Sequence, residues 1–584
     1  MPPESGQRAD IASPLHVLLT TEGTYPFHRG GVSTWCDALG RGMPGVRYTV
    51  LAVVMNPYVS PQYVLPPSVE RVISVPLWGT QDPSEHRADL PFSQIFAKKQ
   101  RTTPMAVSEF FMPLFADLIT ALQRPEPEPE GFGQIMLGMY RLFQVYDYEM
   151  SFKSPQAWQH FRASLLAAAA AGRWPTPTLF DMVQGLGWIY RFLTVLNAPV
   201  PPVDLVHSSA AAFCGLAAII AKLQHRTPFL LTEHGVYLRE QYLAIGRSDM
   251  GAFARSFLVN LVRHVVVANL FHADELAPVC HFNGRWERVL GADPQRIRPV
   301  YNGVSPEVFS LGPAERGPEA GPVRVVAVAR MDPNKDIATL LRAAAIVHRS
   351  EPSVRFHVHG AISVPDYHDR MRRLRQELGL AEVVTFHDHS DDVADVYRQA
   401  DVLVQSSVSE AFPYSVIEGM MTGRMVVATD VGGTAEALGD TGILVPAREP
   451  ERLAQALLWA IGDPALRARY GAAARRRALE LFTIERTIGE FSAVYRRLAG
   501  PRPNIAAGRT LELAVARAWA LYRLGRADLA REHVEVALAR AGNGPAVPAL
   551  LALRAALEGA LGHREAQALD LIRARLLSAL QKAG

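Results

Sequence analysis

The sequence predicts two doubly wound α/β domains that face each other, with a helical insertion in the first and an all-helical tail after the second. Three observations carry this. Two separate series of short Val- and Leu-rich runs occur, each run followed by helix-compatible sequence; a Gly-, Pro- and Glu-rich joint divides the series; and beyond residue 500 the chain turns Ala- and Leu-rich with helical spacing. Runs that are apolar throughout, not alternating, suit strands buried on both faces of a parallel sheet. Strand and helix in alternation make an α/β layer. A chain of 584 residues also exceeds one core at about 100–200 residues per domain.

In chain order, LHVLLT, YTVLAVVM and ERVISVPL read as the opening strands of a first domain spanning 14–310. From about 84 to 202 the spacing becomes helical and aromatic-rich, an insertion broken by the Pro-Glu run Pro125 to Glu130, which reads as an exposed loop. The strand pattern resumes at VDLVHSS, TPFLLTEHG and HVVVAN. The joint from Leu311 to Pro322 reads as a hinge-capable linker. A second domain, 322–482, follows through PVRVVAVAR, VRFHVHG, VVTFHD, ADVLVQS, MVVATD and GILVPA. A helix over 484–499 closes it. After the breaker PRPN, the tail over 509–583 repeats Leu524-Gly525-Arg526 as Leu561-Gly562-His563, near the period of stacked helix-turn-helix (TPR-like) units; a plain helical hairpin fits as well.

Composition narrows the class. Nearly half the residues are hydrophobic and a fifth charged, as in a folded soluble chain. Sixty basic against 57 acidic residues, with no basic run interleaved with aromatics, gives nucleic acid no support as a partner. Cys36, Cys214 and Cys280 are scattered, which suits a reducing compartment and points to the cytoplasm. Met1 to Ser13 is polar and reads as a short leader without the apolar core of a signal peptide. The uncharged, apolar stretch Leu205 to Ala221 falls short of the roughly 20 apolar residues of a membrane span.

The chemistry concentrates at predicted strand ends. ADVLVQS runs into SEAFPYSVIEGM, which sets Glu410 just past a strand and Glu418 on a helix starting near Pro413. The amides of Tyr414, Ser415 and Val416 then form a helix N-terminus at the carboxyl end of a parallel sheet, suited to a diphosphate. Glu418, a turn further in, can accept both hydroxyls of a ribose, and Glu410 can bond sugar hydroxyls; two ordinary helix-cap acids are the plainer alternative. VARMDPNKD sets Arg330 and Lys335 beyond another strand, where two cations would meet a leaving diphosphate, and lysine occurs at only six positions in the whole chain. A solvated charged loop is the alternative there. In MVVATDVGGTAEAL, Gly432 and Gly433 permit close approach of backbone to ligand ahead of Glu436. In the first domain TTEGTYPFHRGGVSTW places Gly30-Gly31 at a helix start, and TEHG places His234 at a strand end.

Together, the E-x7-E spacing of Glu410 and Glu418, the Arg330/Lys335 pair, the D-x-G-G-x-x-E element, Gly30-Gly31, His234 and VYNGVSPEVF resemble the retaining glycosyltransferases of the GT-B fold, family GT4, over residues 14–499. That fold has two Rossmann-like domains, the first on the acceptor side and the second binding the nucleotide sugar. The segment TEGTYPFHRGGVSTWCDALGRGMP and the insertion after it are similar, more narrowly, to the cytosolic glycosyltransferases of Pel exopolysaccharide systems. The resemblance implies a UDP-sugar donor, a glycan acceptor, retention of anomeric configuration, no required metal or other cofactor, and assembly at an inner-membrane polysaccharide export complex. Glu410 and His234 would grip the donor sugar, Arg330, Lys335 and the helix start at Ser415 the diphosphate, and Glu418 the ribose, with Gly30 and Gly31 beside the donor. The tail lies outside the resemblance and is read as a surface for a protein partner or self-association. A catalytically silent sugar-nucleotide scaffold or sensor is the rival from another class; a glycoside phosphorylase of similar fold would need a cofactor lysine that the sequence does not point to. His387-Asp388-His389 could ligate a metal and Asp391, Asp392 and Asp395 resemble metal-binding acids, but the first ends a strand and the second precedes a helix that it can cap.

Overall fold

The computed structural model describes residues 14–80, 90–311, 321–390, 392–500 and 547–561, with single helical positions between 527 and 538. Most of the 311–322 linker, the Met1 to Ser13 leader, Asp391 and most of the tail, including all but Leu561 of its repeated tripeptides, lie outside the described residues.

Among the described residues twelve strands form two six-stranded sheets, and every described pairing between strands is parallel. The first contains β1 (Leu15–Glu22), β2 (Val46–Val54), β3 (Val69–Pro76), β4 (Leu205–Ser208), β5 (Phe229–Leu231) and β6 (Glu275–Leu276), ordered β3-β2-β1-β4-β5-β6. The second contains β7 (Arg324–Val328), β8 (Arg355–His359), β9 (Val384–His387), β10 (Val402–Gln405), β11 (Met425–Thr429) and β12 (Ile443–Val445), ordered β12-β11-β10-β7-β8-β9. Counted from its own first strand, each sheet has the same doubly wound order. Each reverses direction between its first and fourth strands, β1/β4 and β7/β10, and ligands of such sheets bind in the crevice at that reversal. The core strands are buried as their apolar runs require: Val17, Leu18, Val206, Val325, Val402 and Val427 are at 0% exposure.

The insertion between β3 and β4 is helical, from Phe92–Arg101 to Leu193–Asn197. Its aromatic residues build a core of their own, with Phe111, Phe115, Phe143 and Phe152 in mutual ring contact. The Pro-Glu run is not wholly a loop. Pro129 opens the helix Pro129–Val145, and the Glu128 carboxylate accepts from the amides of Glu130 and Gly131. Proline lacks only an N–H that a first helical turn leaves unpaired, so here it starts the helix it was expected to prevent.

HVVVAN is not a strand. It lies inside the helix Ala252–His272, with Val265, Val266 and Asn269 buried. The Asn269 amide nitrogen donates to Ala212 O (3.1 Å) and Val265 O (2.8 Å), which satisfies it inside the core. An apolar run buried all round has no periodicity to separate strand from helix, and packing overrides the β preference of valine. The strand of this region is the short β6, beyond the helix. This helix and the stretch Pro104–Leu122 are, among the described residues, long and apolar enough to cross a membrane; both contribute buried residues to the first domain's core. The uncharged stretch from Leu205 resolves into β4 and the helix Leu216–His225.

The helix Ile484–Ala499 crosses back to the first domain. Tyr495 Oη lies 2.8 Å from His207 Nδ1, Phe491 packs edge-on to Trp35, and Arg497 pairs with Glu275 at 2.6 Å. The tail is a separate unit from Ala499. In its described part the helix Val547–Ala560 pairs with the preceding helical residues through Arg531–Glu558 (2.9 Å) and Glu535–Arg554 (3.1 Å), over buried Ala530, Val534, Leu550 and Leu557.

Candidate functional site

The carboxyl ends of β5, β7 and β10 border one cavity of about 310 Å³ between the two sheet domains, whose lining includes His234, Arg239, Arg330, Lys335 and Glu410. Each arrives by local logic. β7 runs out at Val328; Asp332 then caps the short turn Pro333–Lys335, and Asp336, in the left-handed region at φ 46°, starts the next helix and caps it through Thr339. The Lys335 ammonium is thereby presented to the cavity, 2.5 Å from Glu410 Oε1. Glu410 also accepts from Ser407 Oγ at 2.6 Å. The two residues are only 22% and 11% exposed, so the charges neutralise each other in a partly dry site. Arg330 lines the same cavity and is exposed.

His234 follows β5 and packs edge-on against Trp35, ring centroids 4.5 Å apart. Burial pushes its pKa down to about 3, so the ring is neutral, and Nε2 has no hydrogen-bond partner within the protein. A neutral imidazole with a free nitrogen at a cavity wall can bond a hydroxyl as donor or acceptor, as its tautomer dictates. Behind it, Glu233 and Glu287 are fully buried with all four carboxyl oxygens unpartnered. Burial pushes both upward, Glu287 to about 8, and the neighbouring Glu287 adds to the shift of Glu233, so the pair stays protonated where a charge would be unsolvated.

On the second domain the helix Tyr414–Met421 starts just past Pro413, which makes no side-chain capping bond. The Val416 amide donates back to Pro413 O at 3.2 Å, so of the three amides expected to face an anion this one is engaged locally. Glu418 sits on this helix and does not line the cavity. Burial pushes its carboxyl up to about 7, against the hydroxyl of Tyr397 that donates to Oε2 at 2.7 Å.

The glycines act between protein segments. A Cβ on Gly31 would stand 3.0 Å from the Tyr414 ring, so the bare helix start lets the second domain approach the first; Gly30 is in extended backbone. Gly432, at φ +60°, and Gly433 lie against the backbone carbonyls of Glu410 and Ala411, with which any Cβ would collide, and Gly433 N donates to Ala411 O at 2.6 Å. Their close approach is to the Glu410 loop, where the sequence pointed to a ligand. Glu436 turns toward the first domain.

His387 does not converge with Asp388 and His389. It stacks on His359 (4.1 Å, 9°) and lies 3.0 Å from His357 Nδ1, while His389 faces Arg29 of the first domain at 3.5 Å. Asp392 caps the helix Val393–Arg398 through the Asp395 amide. Among the described residues no three His, Cys, Asp or Glu side chains come together to hold a metal. Sequence reasoning passed over Arg239, whose Nη1 donates to Ser409 Oγ across the cleft at 2.5 Å, and Arg247, Glu240 and Asn283, which also line the cavity. Arg239 and Glu240 lie a few residues past the TEHG segment, a signal available in the sequence.

Residues 15–295 match a family described as a domain of unknown function (DUF3492), and residues 322–463 match glycosyl transferases group 1. Among relatives, the D-inositol 3-phosphate glycosyltransferase of Nocardiopsis dassonvillei is 35% identical over 227 residues, 36% of this chain and 53% of that one. Its counterpart in Mycobacterium tuberculosis is 39% identical over 225 residues, 36% and 45% of the two chains. The chain thus spans about half the length of the curated relatives it matches. Among solved structures, the sucrose-phosphate synthase of Thermosynechococcus elongatus superposes with a TM-score of 0.53 at 20% identity, over 83% of this chain and 99% of that one. Anabaena HepE in complex with UDP and glucose gives 0.50 at 14% identity, over 82% and 99%. On sequence the match to glycosyl transferases group 1 lies within the second domain, and across both domains the chain has the architecture of the GT-B fold.

Proposed function

We propose that the chain is a retaining hexosyltransferase of the GT4 type that moves a sugar from a UDP-sugar to a growing polysaccharide or other glycan, in the manner of PelF in exopolysaccharide assembly. The carrying observation is the meeting of Lys335, Glu410, Arg330 and His234 on one cavity at the switch point of the second sheet, facing the end of β5 in the first. Ligands of doubly wound sheets bind there, and HepE, of the same fold, was crystallised with UDP and glucose. The diphosphate lies against Arg330, Lys335 and the helix start at Tyr414 and Ser415, so charge developing on the leaving group meets fixed cations and needs no metal or other cofactor. Lys335 exchanges Glu410 for the phosphate as donor enters, which frees the Glu410 carboxylate for sugar hydroxyls. His234, neutral, bonds the sugar from the opposite wall, and Glu418 holds the ribose. The glycan enters along the Gly30-Gly31 side, in the cytoplasm, with the export machinery at the inner membrane receiving the product.

UDP release is the test, measured with UDP-glucose, UDP-N-acetylglucosamine and UDP-N-acetylgalactosamine, with and without a glycan acceptor. One donor gives acceptor-dependent turnover, and Lys335→Ala lowers it by the equivalent of roughly 2–4 kcal/mol of barrier, the scale of one preorganised charge-stabilising group, while the melting temperature stays near that of the parent. Binding of a UDP-sugar with no turnover for any acceptor would favour a silent sensor instead. Normal turnover in Lys335→Ala would overturn its assigned role.

A further inference from the structure

Glu436 belongs to the second domain, in the helix Thr434–Leu438 that follows β11. Both of its carboxylate oxygens are spent on the first. Oε1 accepts from the amide of His281 (2.8 Å) and the hydroxyl of Tyr301 (2.8 Å), and Oε2 from the amide of Phe282 (3.3 Å). His281 and Phe282 open the helix His281–Val289, whose own cap residue, Cys280, makes no side-chain capping bond. A helix start without a cap leaves amide donors unpaired and carries partial positive charge. The missing cap is supplied by a carboxylate of the other domain.

The attachment is braced on both sides. Arg477 donates to the backbone carbonyls of Glu436 (2.9 Å) and Ala437 (2.9 Å), which fixes the carboxylate's base in the second domain. Tyr301 stacks on Phe412 with centroids 5.1 Å apart, and Cys280 Sγ donates to Ala411 O at 3.3 Å. The helix that Glu436 caps also supplies Phe282 and Asn283 to the cavity wall, and the facing wall carries Glu410 and Ala411. The clamp therefore spans the two walls of the cavity in which the sugar nucleotide is proposed to react.

We infer that Glu436 is a positioning residue that sets the spacing of the two domains across the donor cleft, by capping a helix of one domain from the other. This rests on the cleft reading above for its kinetic consequence, and not for its structural one. Without the carboxylate, the first turn of His281–Val289 turns to water for its amide partners, the walls separate, and the donor meets His234 and Glu410 in a wider range of geometries.

The test pairs a distance with a rate. Dye labels on Met105→Cys in the first domain and Trp459→Cys in the second, both exposed positions, report domain spacing by single-molecule energy transfer in the full chain. The parent gives one narrow distribution; Glu436→Ala broadens it toward longer distances; Glu436→Gln and Tyr301→Phe, which keep part of the set of bonds, fall between. With a turned-over UDP-sugar, donor KM in Glu436→Ala rises about fivefold or more, and excess donor recovers most of the parent kcat. A distribution unchanged in Glu436→Ala overturns the inference, whatever the kinetics. Should Glu436→Ala not fold, parent-like distributions in both Glu436→Gln and Tyr301→Phe overturn it equally. Because the distance is read without turnover, a chain that transfers no sugar defeats the proposed function and leaves this arm able to decide.

Discussion

The two glutamates of the E-x7-E spacing have different surroundings, and that difference makes their roles separable. Glu410 lines the cavity and is paired with Lys335, whereas Glu418 is half-buried on the next helix, where it accepts from the Tyr397 hydroxyl. Glu418→Gln should weaken binding of UDP itself, and Glu410→Gln should spare UDP while impairing transfer; calorimetry that ranked them the other way would exchange the roles. Glu418 also gives a pH signature. Its folded-state pKa, about 7, lies above the ordinary value of 4.5 because burial disfavours the carboxylate. The folded state then holds the proton more tightly than the unfolded one, so this group's contribution to stability is fully present below about pH 4.5 and is lost as pH rises through about 7. Glu418→Gln should flatten that part of the stability curve, gaining on the parent between pH 5 and 8 by thermal melts. These residues were legible in the sequence because each sits within a few positions of a strand end. The partners of Glu436 and Arg239 were not, since they come from the other domain and only the packed structure selects them.

At the scale of elements, the buried strands, their ends and their loops were readable, and one buried apolar run was not. The runs that became β1 to β5 and β7 to β12 are short apolar runs bounded by turn formers, whereas HVVVAN has a similar composition inside a buried helix, where only tertiary packing decides. Pro129 shows the converse, a breaker that serves as a helix start once Glu128 caps it. The glycine pair after β11 yields a prediction at this scale. Gly432 needs φ +60° and has the Glu410 carbonyl where a Cβ would go, so Gly432→Ala should cost about 1–3 kcal/mol for the left-handed backbone alone. It should also displace the Glu410 loop and lower turnover by more than the stability loss accounts for. A chemical-denaturation midpoint equal to the parent's would mean that the turn relaxes freely and that the glycine is not needed for this approach.

The whole molecule repeats one topology twice and then fastens the copies with the helix Ile484–Ala499. The resemblance implied that this helix crosses back to the first domain, but the contacts that hold it there are set by packing: Phe491 against Trp35, Tyr495 on His207 and Arg497 on Glu275. Phe491 and Tyr495 are at 0% and 1% exposure, and truncating one large buried aromatic typically costs about 3–5 kcal/mol. Two shortened chains therefore separate the body from the tail. A chain ending at Gly500 keeps the closing helix and should retain the parent's turnover of UDP-sugar, with any change confined to its assembly state or its protein partners, read by light scattering. A chain ending at Phe482 leaves Trp35 and His207 without their cover and should be insoluble or lose donor binding. If the longer of the two also precipitates or no longer binds donor, the helical tail is part of the catalytic body and its reading as a docking unit fails; if the shorter one stays active, the crossover helix is dispensable and the two sheet domains hold together through the cleft contacts alone.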